Sequence, residues 1–149
     1  MEWVKNWFSN MLPADKALVD EMGIQYHSTE NYYQAAKMPD RERRIKIANM
    51  SSRDSKRAVR TKEFRITPEQ WAEFETRKLQ VMEDALRQKF APGTSWYAQL
   101  VATGDEEIVE WNNWNDRYWG KTLDGVGENN LGKLLMKIRA DLKVGSTCP

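Results

Sequence analysis

Thr67-Pro68-Glu69-Gln70-Trp71-Ala72-Glu73-Phe74 opens the clearest helical pattern in this chain. Thr67 suits an N-cap, Pro68 the first helical position, and Gln70 the return partner of a capping box. Behind them Trp71, Phe74, Lys78 or Leu79, Met82, Ala85 or Leu86 and Phe90 recur at helical spacing and are expected to face a core. Upstream, Ser28 or Thr29 caps a helix running from Glu30 to about Met38, where Pro39 follows. Asp40 to Arg60 reads as two short basic helices broken near Ser51-Ser52. The opening to about Ile24, punctuated by Pro13 and Gly23, reads as irregular. Downstream, a short helix is expected over about Ser95 to Thr103, stopped by Gly104. Glu107-Ile108-Val109-Glu110-Trp111 is the best strand candidate. A final amphipathic helix spans about Asn129 to Lys143, with Leu131, Leu134, Leu135, Ile138 and Leu142 on one side. The expectation is one mainly α-helical α+β domain over residues 1–149 with a small β-sheet, because the strand–helix alternation of a doubly wound fold is missing.

With 149 residues, 40% hydrophobic and 30% charged, the chain has the balance of a globular domain able to bury a sizeable core. No apolar run is long enough to cross a bilayer, and Met1-Glu2-Trp3-Val4-Lys5 lacks the regions of a signal peptide, so a cytoplasmic setting is expected. Cys148 is the single cysteine and His27 the single histidine, which removes an intrachain disulfide and a thiolate metal cluster. A histidine-based zinc site or a Ser-His-Asp triad would rest on His27 alone. The net charge of +1 conceals an asymmetry: ten Lys or Arg against three acids between Arg41 and Arg65 give +7 there and −6 elsewhere. Such an excess concentrates phosphate-bearing partners nearby, and it also suits a solvated helical face.

Three polar constellations stand apart from the core pattern. In Glu30-Asn31-Tyr32-Tyr33-Gln34-Ala35-Ala36-Lys37, Glu30, Tyr33 or Gln34, and Lys37 share one helical face, so a carboxylate and an amine reach one ligand. The same placement suits the helix dipole, with the acid in the first turn and the amine in the last. In Trp114-Asn115-Asp116-Arg117-Tyr118-Trp119-Gly120, rings beside a carboxylate form a plausible ligand wall, and equally a core contact beside a turn-forming Asp116. In Asp124-Gly125-Val126-Gly127-Glu128-Asn129-Asn130-Leu131-Gly132, glycines at a helix start suit a phosphate, while Asn129 also fits a plain N-cap. The glycine spacing is not that of a dinucleotide fingerprint.

Taken together, these segments resemble the NADAR family, named for NAD and ADP-ribose, and within it the YbiA-like members. Phe8-Ser9-Asn10 is similar to the family's FSNF entry segment, and Ser28 to Lys37 to its TSEHYFQAxK block. Trp71, Arg77, Lys89-Phe90, Thr103-Gly104 and Ile108-Val109-Glu110 follow in the family's order. Asp116-Arg117-Tyr118-Trp119-Gly120 resembles DxxWG, and Gly125 to Met136 resembles GxGxNxLGxxLM. Departures are Met11 for the second Phe, Asn31 for a common histidine, and Asn130 for a common arginine. The resemblance implies N-glycosidase activity without cofactor or metal, on a ribose- or ADP-ribose-containing substrate: ribosylamine intermediates of riboflavin synthesis, or ADP-ribosylated guanine, including that in nucleic acid. No membrane partner is implied.

Cleaving a ribosyl C–N bond calls for a carboxylate near the anomeric carbon and an acid for the leaving nitrogen, which Glu30 and Asp116 would supply. In the other route Lys37, if burial lowers its pKa, attacks a ring-opened imine to form a Schiff base, with Glu30 moving protons. Trp119 would stack on the base or face the sugar cation, while Ser9, Asn10 and Gln34 would hold hydroxyls. Gly127, Asn129, Leu131 and Gly132 would meet the phosphates, with Phe8, Tyr33 and Gly120 completing the expected binding set. The rival reading is a binding module that sequesters an ADP-ribose-like nucleotide without turnover.

Overall fold

The structure, a computed structural model, describes residues 2–3 and 9–147, with side chains over 9–143. Phe8 and Cys148 lie outside the described residues. Six α-helices and three two-stranded sheets occur among the described residues, the mainly helical α+β arrangement expected. The chain divides into two compact units, Asn10–Lys89 and Met1–Ser9 with Phe90–Pro149.

The first unit begins with a hairpin where irregular chain is expected. Strand β2 (Pro13–Val19) pairs antiparallel with β3 (Gln25–Ser28), and the register shifts between the Pro13–Ser28 and Leu18–Tyr26 pairs. Only Leu18 of β2 is buried, so the alternation that announces a strand is almost absent. The turn is set by Asp20, whose Oδ1 accepts the amides of Met22 and Ile24, and by Gly23 at φ +78°. β3 runs directly into α1 (Thr29–Ala35). Ser28 caps it by accepting the Asn31 amide, and every residue of the helix is buried.

The basic run forms α2 (Arg41–Ala48) and α3 (Ser52–Ala58), capped by Asp40 and Ser51. Asn31 ties α1 to the turn between them by donating to the carbonyls of Ile47 and Met50. Helix α4 (Pro68–Lys89) starts at the expected capping box, with Gln70 N–H donating to Thr67 Oγ1 and Thr67 N–H to Gln70 Oε1. Phe74, Met82, Ala85, Leu86 and Phe90 are buried as expected. Trp71 corrects that expectation, being 41% exposed; of the pair Lys78 or Leu79, Lys78 is half-buried and Leu79 45% exposed, and the core face also takes in Val81 and Lys89.

In the second unit, α5 (Ser95–Ala102) is capped by Thr94 and closed at Gly104. Two short parallel pairings follow: β1 (Glu2–Trp3) with β4 (Ile108–Val109), and β5 (Trp111–Asn112) with β6 (Lys121–Thr122). Helix α6 (Asn130–Thr147) packs on β4 and α5, burying Leu131, Leu134, Leu135 and Ile138, with Leu142 half-buried. No helix among the described residues is long and apolar enough to cross a membrane.

Candidate functional site

The first unit brings the expected Glu30, Tyr33, Gln34 and Lys37 together. α1 ends at Ala35, so Lys37 stands just past the helix, its backbone N–H donating to the Gln34 carbonyl at 3.2 Å. Its Nζ lies 5.1 Å from the Tyr33 ring centre, 5.3 Å from that of Trp71 and 5.8 Å from that of Phe74. Tyr33 and Trp71 each meet Phe74 edge to face, and the Arg77 guanidinium covers Phe74 at 5.6 Å. The amine makes no hydrogen bond or ion pair among the described residues, although three aromatic faces suit it as a cation.

Burial pushes the Lys37 amine down to about 8 from an ordinary 10.5. The charges of Glu30 and Glu75 pull it back up, and those of Arg60 and Lys56 push it further down. Glu30 is itself buried, and its Oε1 accepts a 2.8 Å hydrogen bond from Gln34 Nε2. Gln34 Oε1 is buried with no hydrogen-bond partner among the described residues. Trp71, read from its spacing as core, is therefore a half-open wall beside Lys37. Its contact with the Lys37 amine, which spacing along α4 does not reveal, is what sets it apart from a core residue. Lys89, in the last turn of α4, is fully buried, and burial pushes its amine too to about 8.

Asn10 was expected to hold hydroxyls, but its groups are engaged within the protein. Its carbonyl accepts the Glu30 amide, its Oδ1 the Thr29 hydroxyl at 2.8 Å, and its Nδ2 faces Met82 sulfur at 3.6 Å. It clasps the start of α1. Ser9 belongs to the other unit and is half-buried.

In the second unit the segment Asp116–Gly120 is a tight loop held by its own residues. Asp116 Oδ1 accepts the amides of Tyr118 and Trp119, and Asn112 exchanges hydrogen bonds with the Asp116 backbone. Trp119 stacks on Tyr118 with centroids 4.7 Å apart. The expected phosphate cradle has several of its amides already engaged. The amides of Glu128, Asn129, Asn130 and Leu131 already donate to the carbonyls of Arg117, Gly120, Tyr118 and Trp119. These four amides are therefore turned inward and are not offered to an anion. Asn129 is also more than a cap: its Oδ1 accepts the Glu110 amide and its Nδ2 donates to the Ile108 carbonyl, both at 2.9 Å. The glycines serve the same closeness. A Cβ at Gly120, Gly127 or Gly132 would overlap the carbonyl oxygen of Glu110, Gly120 or Ile108 respectively. Among the described residues no group of three or more His, Cys, Asp or Glu is placed to hold a metal ion.

The NADAR domain family model matches residues 2–143. N-glycosidase YbiA of Escherichia coli strain K12 is 38% identical over 124 residues, covering 82% of this chain and 74% of that protein. Riboflavin biosynthesis protein VVA0006 of Vibrio vulnificus is 35% identical over 124 residues, 81% of this chain, and the match spans only 32% of that longer protein. The NMR structure of E. coli YbiA superposes with a TM-score of 0.75 at 33% identity, over 96% of this chain and 82% of that one. Similarity of this extent to named N-glycosidases makes the chain a glycosidase-class enzyme. Family match, relatives and fold agree along nearly the whole sequence, and the chain belongs to the NADAR domain family.

Proposed function

We propose that this N-glycosidase hydrolyses the bond between an amine nitrogen and the anomeric carbon of a ribose or ADP-ribose, with Lys37 as nucleophile and Glu30 as proton carrier. The observation that carries this reading is the amine of the half-buried Lys37, set against the rings of Tyr33, Trp71 and Phe74 and pushed down to about 8. A lysine there is neutral in a useful fraction of molecules at neutral pH, and only the neutral amine attacks carbon.

A glycosylamine opens to its imine as the ring oxygen takes a proton and the C1–O bond breaks. Lys37 Nζ adds to C1, forming a C–N bond. A proton passes from the new ammonium to the leaving nitrogen by way of Glu30. The substrate C–N bond then breaks, leaving a Schiff base between Lys37 and the sugar. Water adds to C1 and the Lys37–sugar bond breaks, releasing the sugar aldehyde and restoring the amine. One water is consumed overall.

Gln34 holds Glu30 Oε1 in place and offers its own Oε1 to a sugar hydroxyl. Trp71, with its exposed face, is the ring this reading gives to the base. The riboflavin-related names and the ADP-ribose of the family name direct the choice of substrates to a ribosylamino-pyrimidine and to guanine-ADP-ribosylated DNA. Wild type and Lys37→Ala are incubated with each, and released sugar is followed by mass spectrometry. Turnover of either substrate, lost in the variant, is the expected result. An active Lys37→Ala excludes the Schiff base and makes Glu30→Gln and Asp116→Asn the variants to compare for a two-carboxylate route. Bound nucleotide recovered intact overturns the enzymatic reading in favour of sequestration.

A further inference from the structure

The +7 run from Arg41 to Arg65 separates into two populations once the side chains are placed. On α2 the cations hold the fold together. Arg41 donates to the Met22 carbonyl at 2.7 Å, and Arg43 to Asp40 and to the Arg65 carbonyl. Arg44 is buried, clasping Asp20, Glu21 and the Met38 carbonyl, and Lys46 pairs with Glu63. On α3 and the turn after it, the exposed Arg53, Arg57 and Arg60 have no ion pair or side-chain hydrogen bond among the described residues. Positions 53, 56, 57 and 60 follow one another at helical spacing, and the Arg60 amide, bonded to the Arg57 carbonyl at 3.1 Å, continues the turn. A single face therefore carries four cations.

That face lies beside the reacting amine. Ser52, at the start of α3, sits 3.1 Å from Ser28, the cap of α1, and donates to the Met11 carbonyl. The two helices are of equal length, start together and pack against each other. The end of α3, with Lys56 and Arg60, consequently accompanies the end of α1, where Lys37 stands. The charges of both residues act on the Lys37 amine, as their proximity requires.

We propose that Arg60 and Lys56, backed by Arg57, form a subsite for a phosphate on the 5′-carbon of the ribosyl substrate, a role that rests on Lys37 marking the reacting carbon. The guanidinium fork of Arg60 matches two phosphate oxygens, and the amine of Lys56 adds a third donor group. At the start of α6 the amides of Glu128, Asn129, Asn130 and Leu131 are bonded to carbonyls of residues 117–120. The shared chemistry is a phosphate ester on ribose, carried either by a ribosylamine monophosphate or by the pyrophosphate of ADP-ribose.

The test is binding, so that it does not depend on turnover. Ribose, ribose 5-phosphate, ADP-ribose and an unmodified DNA oligonucleotide are titrated into wild type and Arg60→Gln by calorimetry. In parallel, 15N spectra follow the Arg60 Nε and the Trp71 indole. The expected result is that phosphate-bearing sugars bind wild type at least about tenfold more tightly than ribose. Arg60→Gln loses about tenfold for those ligands alone, and both reporter signals move in wild type. Which of the two phosphorylated sugars binds more tightly identifies the source of the phosphate. A ligand that moves Trp71 but not Arg60, with unchanged affinity in Arg60→Gln, overturns the subsite and leaves the Lys37 site standing. Movement at Arg60 without Trp71 places sugar binding away from Lys37 and overturns both. An equal loss of affinity for unmodified DNA overturns it too, since the face is then a nucleic-acid surface.

Discussion

Raising the pH from 6 to 9 is the perturbation that bears most directly on Lys37. An amine with a pKa of 10.5 is neutral in about 0.03% of molecules at pH 7, whereas one held near 8 is neutral in about 10%. Burial therefore multiplies the nucleophilic form about 300-fold at neutral pH. Below pH 8 the rate of Schiff-base formation should climb about tenfold per pH unit, and above it the rate should level. Two assays read this separately. Reductive 13C-methylation of the lysines, followed by NMR titration, gives the pKa of Lys37 without catalysis. Trapping with borohydride during turnover, followed by peptide mass spectrometry, gives the site of the sugar adduct. The second assay also separates Lys37 from Lys89, whose amine burial likewise holds near 8. A Lys37 resonance titrating near 10.5, a rate still rising beyond pH 10, or an adduct on Lys89 would each refute the assignment.

The charges around that amine give a second prediction with opposite signs. Arg60→Gln removes a positive neighbour and should raise the Lys37 pKa, while Glu30→Gln removes a negative one and should lower it, both read by the same NMR titration. Shifts in one common direction would disprove the electrostatic account. For stability, the folded pKa of Lys37 lies below its unfolded value, so the unfolded chain binds more protons between about pH 8 and 10.5 and stability rises with pH across that window. The full effect is at most about 3 kcal/mol. Urea unfolding of wild type and Lys37→Met should show a pH slope that is smaller in the variant, and equal slopes would count against a buried amine. In the second unit, Gly132→Ala places a methyl against the Ile108 carbonyl and the Asn129 side chain, with an expected cost of about 1–3 kcal/mol in chemical denaturation. Wild-type stability in that variant would mean that α6 and β4 do not approach as closely as described.

How far the sequence was legible depends on whether a position obeys one constraint or two. The capping box at Thr67–Gln70 and the break at Ser51-Ser52 are local hydrogen-bond chemistry, readable from neighbours alone, and both stand where the spacing put them. β2 was not legible, because six of its seven residues remain outside the core and its turn depends on Asp20 and Gly23. The glycine-rich run before α6 meets a demand that spacing did not reveal. Close approach was indeed required there, but by the carbonyls of Glu110, Gly120 and Ile108.

Trp71 shows the limit most clearly. Its spacing with Phe74 and Met82 is that of a core stripe, and Phe74 and Met82 are core. Periodicity identifies the face of α4 that meets other residues, without saying whether what it meets is the interior or the rim of α1. At Trp71 it meets the rim. There an indole both screens Lys37 from water and keeps 41% of its own surface open. A residue that sets one edge against an amine and presents the other to solvent satisfies the pattern of a core position without being one. That double duty makes Trp71 invisible to spacing and apparent only once Lys37 is placed beside it.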